Sequence, residues 1–554
     1  MTFHIDKYKN DLLFLALGGA SEIGVNLNLY YCQGKWLMVD LGIGFAEQNF
    51  PGIDITLPKI NFIEQYKHDL LGIFITHAHE DHIGGVHYLW HRLGCPIYAT
   101  KFTAEILKAK FAEIGENNDA SINIVQPNKV TEVGPFAVEM VGVTHSIPEM
   151  QGLMIRTKLG NIFHTGDWKL DLHPILGEVT NESILRRCGD EGVLALIGDS
   201  TNIFTCGSSG SEGMLSDSLT ELIKGRTNGL VVVTTFASNI ARLYSIAKAA
   251  QKSKRTVLVA GRALWRLYNA ALHSGYLSDI PPFVSTKQIG KLRREEVLVI
   301  CTGCQGEPLA ATGKIAGQQH PDIHLQKGDT IIFSSKIIPG NEKKIFRLFN
   351  KFCKIGVEVF TERDHFVHVS GHPSRDEVAK MYELIRPKIA IPVHGEAVHL
   401  HEHCKFATSK GVKHSIEISN GDVVHLNAEI PYIITKVESG YLAIDGNYIV
   451  DESNPILRER AEMRDNGLVM VIIVANKQGR LLCAPRIIAP GLLDKHRDGE
   501  FISILIKEIK SSLINMKKLE ERTLGKSISH MVKKLISKER GKDPKIIIQL
   551  EHIH

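Results

Sequence analysis

Short apolar runs separated by glycine and aspartate dominate the first 200 residues. Trp36–Asp40 (WLMVD), Gly72–Thr76 (GIFIT), Val141–Thr144 (VGVT) and Leu194–Gly198 (LALIG) have strand length and carry β-branched residues. That pattern predicts buried sheet. From about 205 to 360 the period alternates. Leu230–Thr235, Thr256–Ala260, Val297–Cys301 and Thr330–Ser334 read as strands. Asn239–Gln251 (NIARLYSIAKAAQ) and Ala263–Leu272, with apolar residues three and four apart, read as helices. Strand–helix alternation implies a parallel sheet with helices on its faces. Glycine and histidine then become dense again up to about 430. A linker is expected over 431–455. Beyond it lie a strand at Leu468–Val474, a long basic helical region and a strand at Lys545–Gln549.

The densest chemistry follows the strand Gly72–Thr76. His77-Ala78-His79-Glu80-Asp81-His82 puts three histidines and two carboxylates into six residues. Zinc takes imidazole nitrogen and carboxylate oxygen as ligands. In an extended loop, alternation places His77 and His79 on one side. Asp81 and His82 then face a second position as a helix begins at Ile83, so one loop can feed two metals. Three further candidates each follow a strand: His145 in THSIP, Asp167 in HTGDW and His394 in IPVHGE. A lone histidine after a strand is usually only a hydrogen-bonded polar residue, but with the loop these three form a set. Asp40, at the end of WLMVD, is either a turn residue or a support for that loop.

Composition changes this picture little. A formal net charge of +4 does not announce a nucleic-acid binder, but the charge is uneven. From Phe501 to His554, twelve Lys and Arg stand against six Asp and Glu. Lys507, Lys510, Lys517 and Lys518 there could track a polyanion or form a solvated helical face. Nine cysteines include one Cys-x-x-Cys pair, Cys301 and Cys304, without the second pair of a zinc ribbon. Free thiols in that number fit a reducing, cytoplasmic setting. The apolar run near the N-terminus lacks a cleavage pattern, and no run approaches 18 apolar residues, so neither a signal peptide nor a membrane span is expected. Gly18-Gly19 with Gly24 has the wrong spacing for a dinucleotide fingerprint and reads as a tight turn.

His-x-His-x-Asp-His, with Asp40, His145 and Asp167 in order, resembles the metallo-β-lactamase superfamily. The excursion between Asp167 and His394 carries Gly198-Asp199-Ser200-Thr201-Asn202 and Ser370-Gly371-His372. These resemble motifs of the β-CASP group of nucleic-acid nucleases. Within that group the chain resembles the ribonuclease J family, on Gly18-Gly-Ala-Ser-Glu-Ile-Gly-Val-Asn26, Thr235-Phe-Ala-Ser-Asn239, Gly303-Cys-Gln-Gly-Glu-Pro308, Ile338-Pro-Gly-Asn-Glu342, His368-Val-Ser-Gly-His372 and Pro392-Val-His-Gly-Glu396. Two departures stand out. Glu149 occupies a usual aspartate position, and Cys304 replaces a usual serine. Neither is an expected ligand.

The resemblance implies an α/β fold: a metallo-β-lactamase αββα sandwich (1–204 and 364–430), an inserted β-CASP α/β domain (205–363) and a small α/β C-terminal domain (456–554). It implies two zinc ions per subunit, with manganese or magnesium as possible replacements. His77, His79 and His145 would hold one ion, Asp81, His82 and His394 the other, and Asp167 would bridge them. Asp40 would orient the loop. It also implies RNA hydrolysis in RNA maturation and decay, by 5′-to-3′ exonuclease action preferring a 5′-monophosphate and by endonuclease action, through a two-zinc-activated hydroxide. His372, Asp199 and Asp81 would be catalytic. Phe236, Ser238, Asn239, His368, Val369, Ser370, Gly371 and His372 would bind single-stranded RNA and its terminal phosphate. A homodimer or homotetramer and RNA-decay partners complete the expectation, the C-terminal domain serving assembly or RNA contact. Three competitors remain: an endonuclease for internal or 3′-processing sites, a binding subunit with dead chemistry, and a thioester or lactam hydrolase. All seven ligand positions are filled, which counts against the second. The α/β insertion counts against the third.

Overall fold

A computed structural model describes residues 4–46, 50–114, 120–307, 309–476, 480–494, 496–514 and 521–553. Pro308, Lys517 and Lys518 lie outside the described residues. The chain forms two compact units. One comprises the stretch up to Gly44 and Leu57–Tyr441; the other comprises Phe45–Thr56 and the stretch from Leu442 onward.

Two sheets built from the predicted short strands make the body of the first unit. The eight-stranded sheet runs in space Tyr432–Lys436, Asp422–His425, Leu13–Gly18, Leu27–Cys32, Lys35–Val39, Leu70–Phe74, Ile97–Ala99, Ile122–Ile124. The seven-stranded sheet runs Val130–Val133, Phe136–Gly142, Gln151–Thr157, Gly160–His164, Ala195–Asp199, Ile389–Val393, His414–Ser415. Side chains alternate across a strand, and here both faces are buried. Leu153, Ile155, Ile162, Ala195, Ile197, Ile389 and Ile391 pack with Phe14, Tyr30, Leu37 and Phe74 in one core between the sheets. Their neighbours Met154, Phe163, Leu196 and Ala390 pack outward with Leu185, Met381, Leu384 and Ala407 of covering helices. This is the expected αββα sandwich.

Parallel pairing positions the site. Gly160–His164, Ala195–Asp199 and Ile389–Val393 are mutually parallel neighbours. Their carboxyl ends therefore deliver Asp167, Asp199 and His394 side by side. Lys35–Val39 and Leu70–Phe74 are likewise parallel, which sets Asp40 beside Thr76 and His77. Ligands of α/β sheets gather at such carboxyl ends.

The inserted domain leaves after Ala195–Asp199 and returns before the neighbouring strand. Its six strands, Val284–Ser285, Thr256–Ala260, Val297–Cys301, Val231–Thr234, Thr330–Phe333 and Glu358–Phe360, are all parallel. Helix Ile240–Lys252 begins at Asn239, whose side chain caps the backbone N–H of Arg242. Arg242 is fully buried. It pairs with Glu212 at 2.8 Å and donates to the carbonyls of Ser334 and Val367.

In the second unit, Leu468–Asn476 is the centre of a three-stranded sheet, antiparallel to Arg486–Ile488 and parallel to Lys545–Ile553. Val469, Val471 and Ile473 face Leu505, Ile509, Ile528, Val532 and Ile536 of helices Gly499–Ile514 and Glu521–Arg540. Lys507 and Lys510 are exposed. No helix among the described residues is long and apolar enough to cross a membrane.

The stretch 431–455, expected as a linker, contains the boundary between the two units and is itself structured. It carries the edge strand Tyr432–Lys436, whose Ile433 and Thr435 pair with Val424 and Val423, and then strands Tyr441–Asp445 and Tyr448–Asp451. The helix expected from Ile83 starts at Glu80 and ends at Ile83. The extended residue His79 precedes it, and His79 O accepts from His82 N and Ile83 N.

Replacing Glu212 by alanine would strand the Arg242 guanidinium without its carboxylate. Loss of one partner of a buried pair costs about 3–5 kcal/mol. Thermal unfolding of Glu212→Ala is expected to begin several degrees below wild type, as calorimetry would read.

Candidate metal centre

The loop and the three strand ends converge. His79 Nδ1 lies 3.0 Å from His77 Nε2 and 3.1 Å from His145 Nε2. Asp81 Oδ2 lies 3.0 Å from His394 Nε2 and 3.5 Å from His82 Nε2. Asp167 Oδ2 sits between the groups, 3.2 Å from His82 Nε2, 3.4 Å from His394 Nε2 and 3.9 Å from His77 Nε2. Ligand atoms of His77, His79, His145 and Asp167 all lie within 4.8 Å of one another, and so do those of Asp81, His82, Asp167 and His394.

The outer hydrogen bonds turn ring lone pairs inward. Asp40 accepts from Thr76 N and Thr76 Oγ1, both at 2.8 Å, and from His82 Nδ1 at 2.7 Å. Because the Thr76 hydroxyl proton goes to Asp40, its oxygen is left to accept from His77 Nδ1 at 3.0 Å. His145 Nδ1 donates to Gly371 O at 2.6 Å. These bonds assign the tautomers of His77 and His145, whose Nε2 lone pairs face inward, and turn His82 Nε2 toward Asp167 Oδ2, to which it donates. Asp167 Oδ1 is buried and has no hydrogen-bond partner. Converging lone pairs and an unpartnered carboxylate oxygen fit a bound cation.

Electrostatics agree. Burial holds His77 and His145 well below the ordinary imidazole range and brings His79 down to about 4, so all three are neutral donors. On the other side, burial opposes charge but nearby partners win. His394 and His82 hold the Asp167 carboxyl well below its usual range, and His82 and His394 do the same for Asp81. Asp167, Asp81 and Asp40 keep His82 well above its ordinary value; Asp167 and Asp81 push His394 up to about 9. These protons occupy positions that a divalent cation would take over. Asp40 and His394 both have left-handed backbones, with φ of 63° and 53°. Such strain gathers at functional sites.

Next to this pair stands a third group. His372 Nδ1 lies 2.8 Å from Asp199 Oδ2 and 3.9 Å from Asp167 Oδ2. Burial lowers the His372 pKa, but Asp199 and Asp167 outweigh it and the net direction is up. Gly371 lies against His145: a Cβ on it would stand 2.7 Å from His145 Cε1.

The expected phosphate-binding residues are only partly gathered. Arg242 donates to Val367 O, which joins the start of the helix after Asn239 to the His368–His372 segment. Ser238 and Phe236 are half-buried in the turn before that helix. His368 Nδ1 is buried without a partner. Ser370 Oγ accepts from Asn202 Nδ2 at 2.7 Å and from His372 N at 3.1 Å. The Val369 side chain is buried beside Gly210, leaving only its backbone to meet a ligand. Asn239 spends its side-chain oxygen on the helix cap.

Comparison with known proteins decides the family. The chain matches the models of the beta-lactamase superfamily domain (35–185), the ribonuclease J beta-CASP domain (228–352), the Zn-dependent metallo-hydrolase RNA specificity domain (356–417) and the ribonuclease J C-terminal domain (455–552). Ribonuclease J of Sinorhizobium meliloti is 39% identical over 546 residues, 97% of each chain. Ribonuclease J2 of Bacillus subtilis is 32% identical over 548 residues, 98% of each chain. The chain belongs to the ribonuclease J family. Ribonuclease J of Thermus thermophilus is 32% identical over 96% of this chain and 94% of its own. A crystal structure of a protein of unknown function from Enterococcus faecalis shares the fold, with TM-score 0.52 and 18% identity over 75% of this chain and all of that one. As a ribonuclease J-type enzyme the chain is a hydrolase acting on RNA, and its His/Asp cluster has the make-up of a metal site.

Sequence reasoning assigned no role to Asn26, Thr76, Thr201 or Asn202, although all but Thr76 lie inside the quoted family segments. Asn26 Nδ2 lies 3.0 Å from His82 Nε2. Their signal was short polar side chains next to ligand candidates.

Gly371→Ala would drive the His145 ring from its place. Zinc titration of that variant is expected to show a weakening on the order of tenfold or more, with unchanged circular dichroism.

Proposed function

We propose that this ribonuclease degrades RNA from the 5′ end toward the 3′ end, preferring a 5′-monophosphate, and also cuts internally, with two zinc ions per subunit that manganese or magnesium could replace. The observation that carries the reading is the position of Asp167 Oδ2 between two sets of ligand atoms, with His372 beside it. In this reading His77, His79 and His145 hold one ion, Asp81, His82 and His394 the other, and Asp167 is shared. Bound there, such ions supply Lewis-acid activation of water and phosphate at neutral pH.

The protein's own residues do the rest. Asp199 accepts from His372 Nδ1, which leaves His372 Nε2 toward the scissile phosphate. Held protonated beside Asp199 and Asp167, His372 gives its proton to the leaving 3′ oxygen or stabilises the phosphate. Asp81 aligns His394 and adds negative charge for the second cation. Ser238, Asn239, His368 and the backbone of Val369, Ser370 and Gly371 receive the terminal phosphate through hydroxyl, amide and N–H donors. Phe236 stacks on a base. The second unit serves assembly as a homodimer or homotetramer, or contacts RNA through Lys507 and Lys510, and RNA-decay proteins are further partners of the chain. Nine free cysteines suit a cytoplasmic location.

His372→Ala is expected to keep both zinc equivalents while cleavage falls about 10²–10⁴-fold. Normal cleavage in that variant would remove its role. RNAs of one sequence bearing a 5′-monophosphate or a 5′-triphosphate separate the end preference: mononucleotide release should be faster from the monophosphate. Equal rates would remove the phosphate pocket. A chelator should abolish both activities, and zinc should restore them.

A further inference from the structure

We infer that Thr201 is a positioning residue that fixes His394 as an Nε2 ligand of the second metal; this rests on the two-metal reading above. Four consecutive side chains at 199–202 reach four different partners. Asp199 holds His372, Ser200 Oγ meets His403 Nδ1 at 2.9 Å, and Asn202 holds Ser370 and the His372 carbonyl. Thr201 spends both of its bonds on one residue. Its Oγ1 lies 3.1 Å from His394 O and 3.0 Å from His394 Nδ1.

A hydroxyl has one proton. A carbonyl oxygen only accepts, so that proton goes to His394 O, and Thr201 Oγ1 must accept from the ring. Nδ1 of His394 therefore carries its hydrogen toward Thr201, and Nε2 faces Asp81 and Asp167, giving its own proton to Asp81 Oδ2 at 3.0 Å where a cation would take that proton's place. His77, His82 and His145 are each held the same way, through Nδ1, by Thr76, Asp40 and the Gly371 carbonyl. Thr201 completes that set. Its anchor matters more than theirs because the His394 backbone is left-handed. The Gly19 carbonyl, accepting from His394 N at 2.6 Å, shares the task of holding that backbone. Without the hydroxyl the ring is free to turn or to move its proton to Nε2, where it cannot ligate.

The test compares zinc binding to the purified full chain with that of Thr201→Val, which keeps the shape, and Thr201→Ser, which keeps the hydroxyl. Competition with a chromogenic chelator and elemental analysis read the two equivalents separately. Loss of an outer partner weakens a metal site about 10–100-fold. The expected result is one equivalent as tight as wild type and one weakened by that factor in Thr201→Val, with Thr201→Ser restored to near wild type. The tight equivalent also reports that the variant has folded. Two unaltered equivalents in Thr201→Val would overturn the inference. Equal weakening of both, or a serine variant as impaired as valine, would also overturn it by making the role merely structural. Wild-type chain binding fewer than two equivalents would instead overturn the two-metal reading itself.

Discussion

The parallel pairing of Ala195–Asp199 with Ile389–Val393 is the constraint on which the site depends. A parallel pair requires a long crossover between its strands. Here that crossover has become a whole six-stranded domain. Its register sets Asp199 opposite Val393, so the residues after both strands emerge together. Asp199, Thr201 and His394 are neighbours for this reason alone. The same geometry on the other side, through Gly160–His164, supplies Asp167. Candidate ligands so distant in sequence meet because the carboxyl ends of adjacent parallel strands bring them together.

Burial then raises the stakes. Asp40, Asp167 and Asp199 are almost fully buried, as are His77, His82 and His394. Charged groups removed from water cost several kcal/mol each unless paired. The protein meets that cost with a closed set of bonds in which nearly every ring nitrogen and carboxylate oxygen has a partner. The exceptions are informative: Asp167 Oδ1 and His79 Nε2 are buried without one. Buried groups left unpaired call for a specific reason, and a cation held by Asp167 would supply one for the first.

The sequence made much of this legible, for identifiable reasons. His77, His79, Asp81 and His82 are contiguous, and dense imidazole and carboxylate chemistry has few uses. Strands such as Thr256–Ala260 and Val297–Cys301 were read to the residue, because buried parallel strands are unbroken β-branched runs. The edge strand Tyr432–Lys436 reads in sequence as part of the linker. Edge positions are half-exposed, and Glu438, Ser439 and Gly440 behind it look like a loop. Thr201 and Asn202 were visible as letters in a motif but had no assigned role, because a hydroxyl or amide acts through whatever lies across from it. Those partners lie 193 positions away for Thr201 and 168 for Asn202. Val369 lies in the same motif as Ser370 with its side chain buried, so what it can offer a ligand is its backbone.

The inserted domain is also fastened to the ligand loops themselves. Glu149, in the loop after His145, accepts from Phe102 N at 2.8 Å and from Tyr276 OH at 3.2 Å. Glu80, inside the histidine-rich loop, is held by Lys110 at 2.6 Å and approached by Arg266 at 3.6 Å, while Arg266 also pairs with Glu113 at 2.9 Å. Tyr276 and Arg266 come from the inserted domain; Glu149 and Glu80 each lie within four residues of a ligand candidate. Partly exposed pairs of this kind add only about 0–1 kcal/mol each to stability. Their value is therefore orientation: they tie the domain bearing the proposed phosphate pocket to the two loops bearing the proposed metal ligands. The unusual glutamate at 149 fits this account. Its carboxylate spans two partners from different domains, so the departure from aspartate falls on the connection between domains and leaves the ligand set untouched.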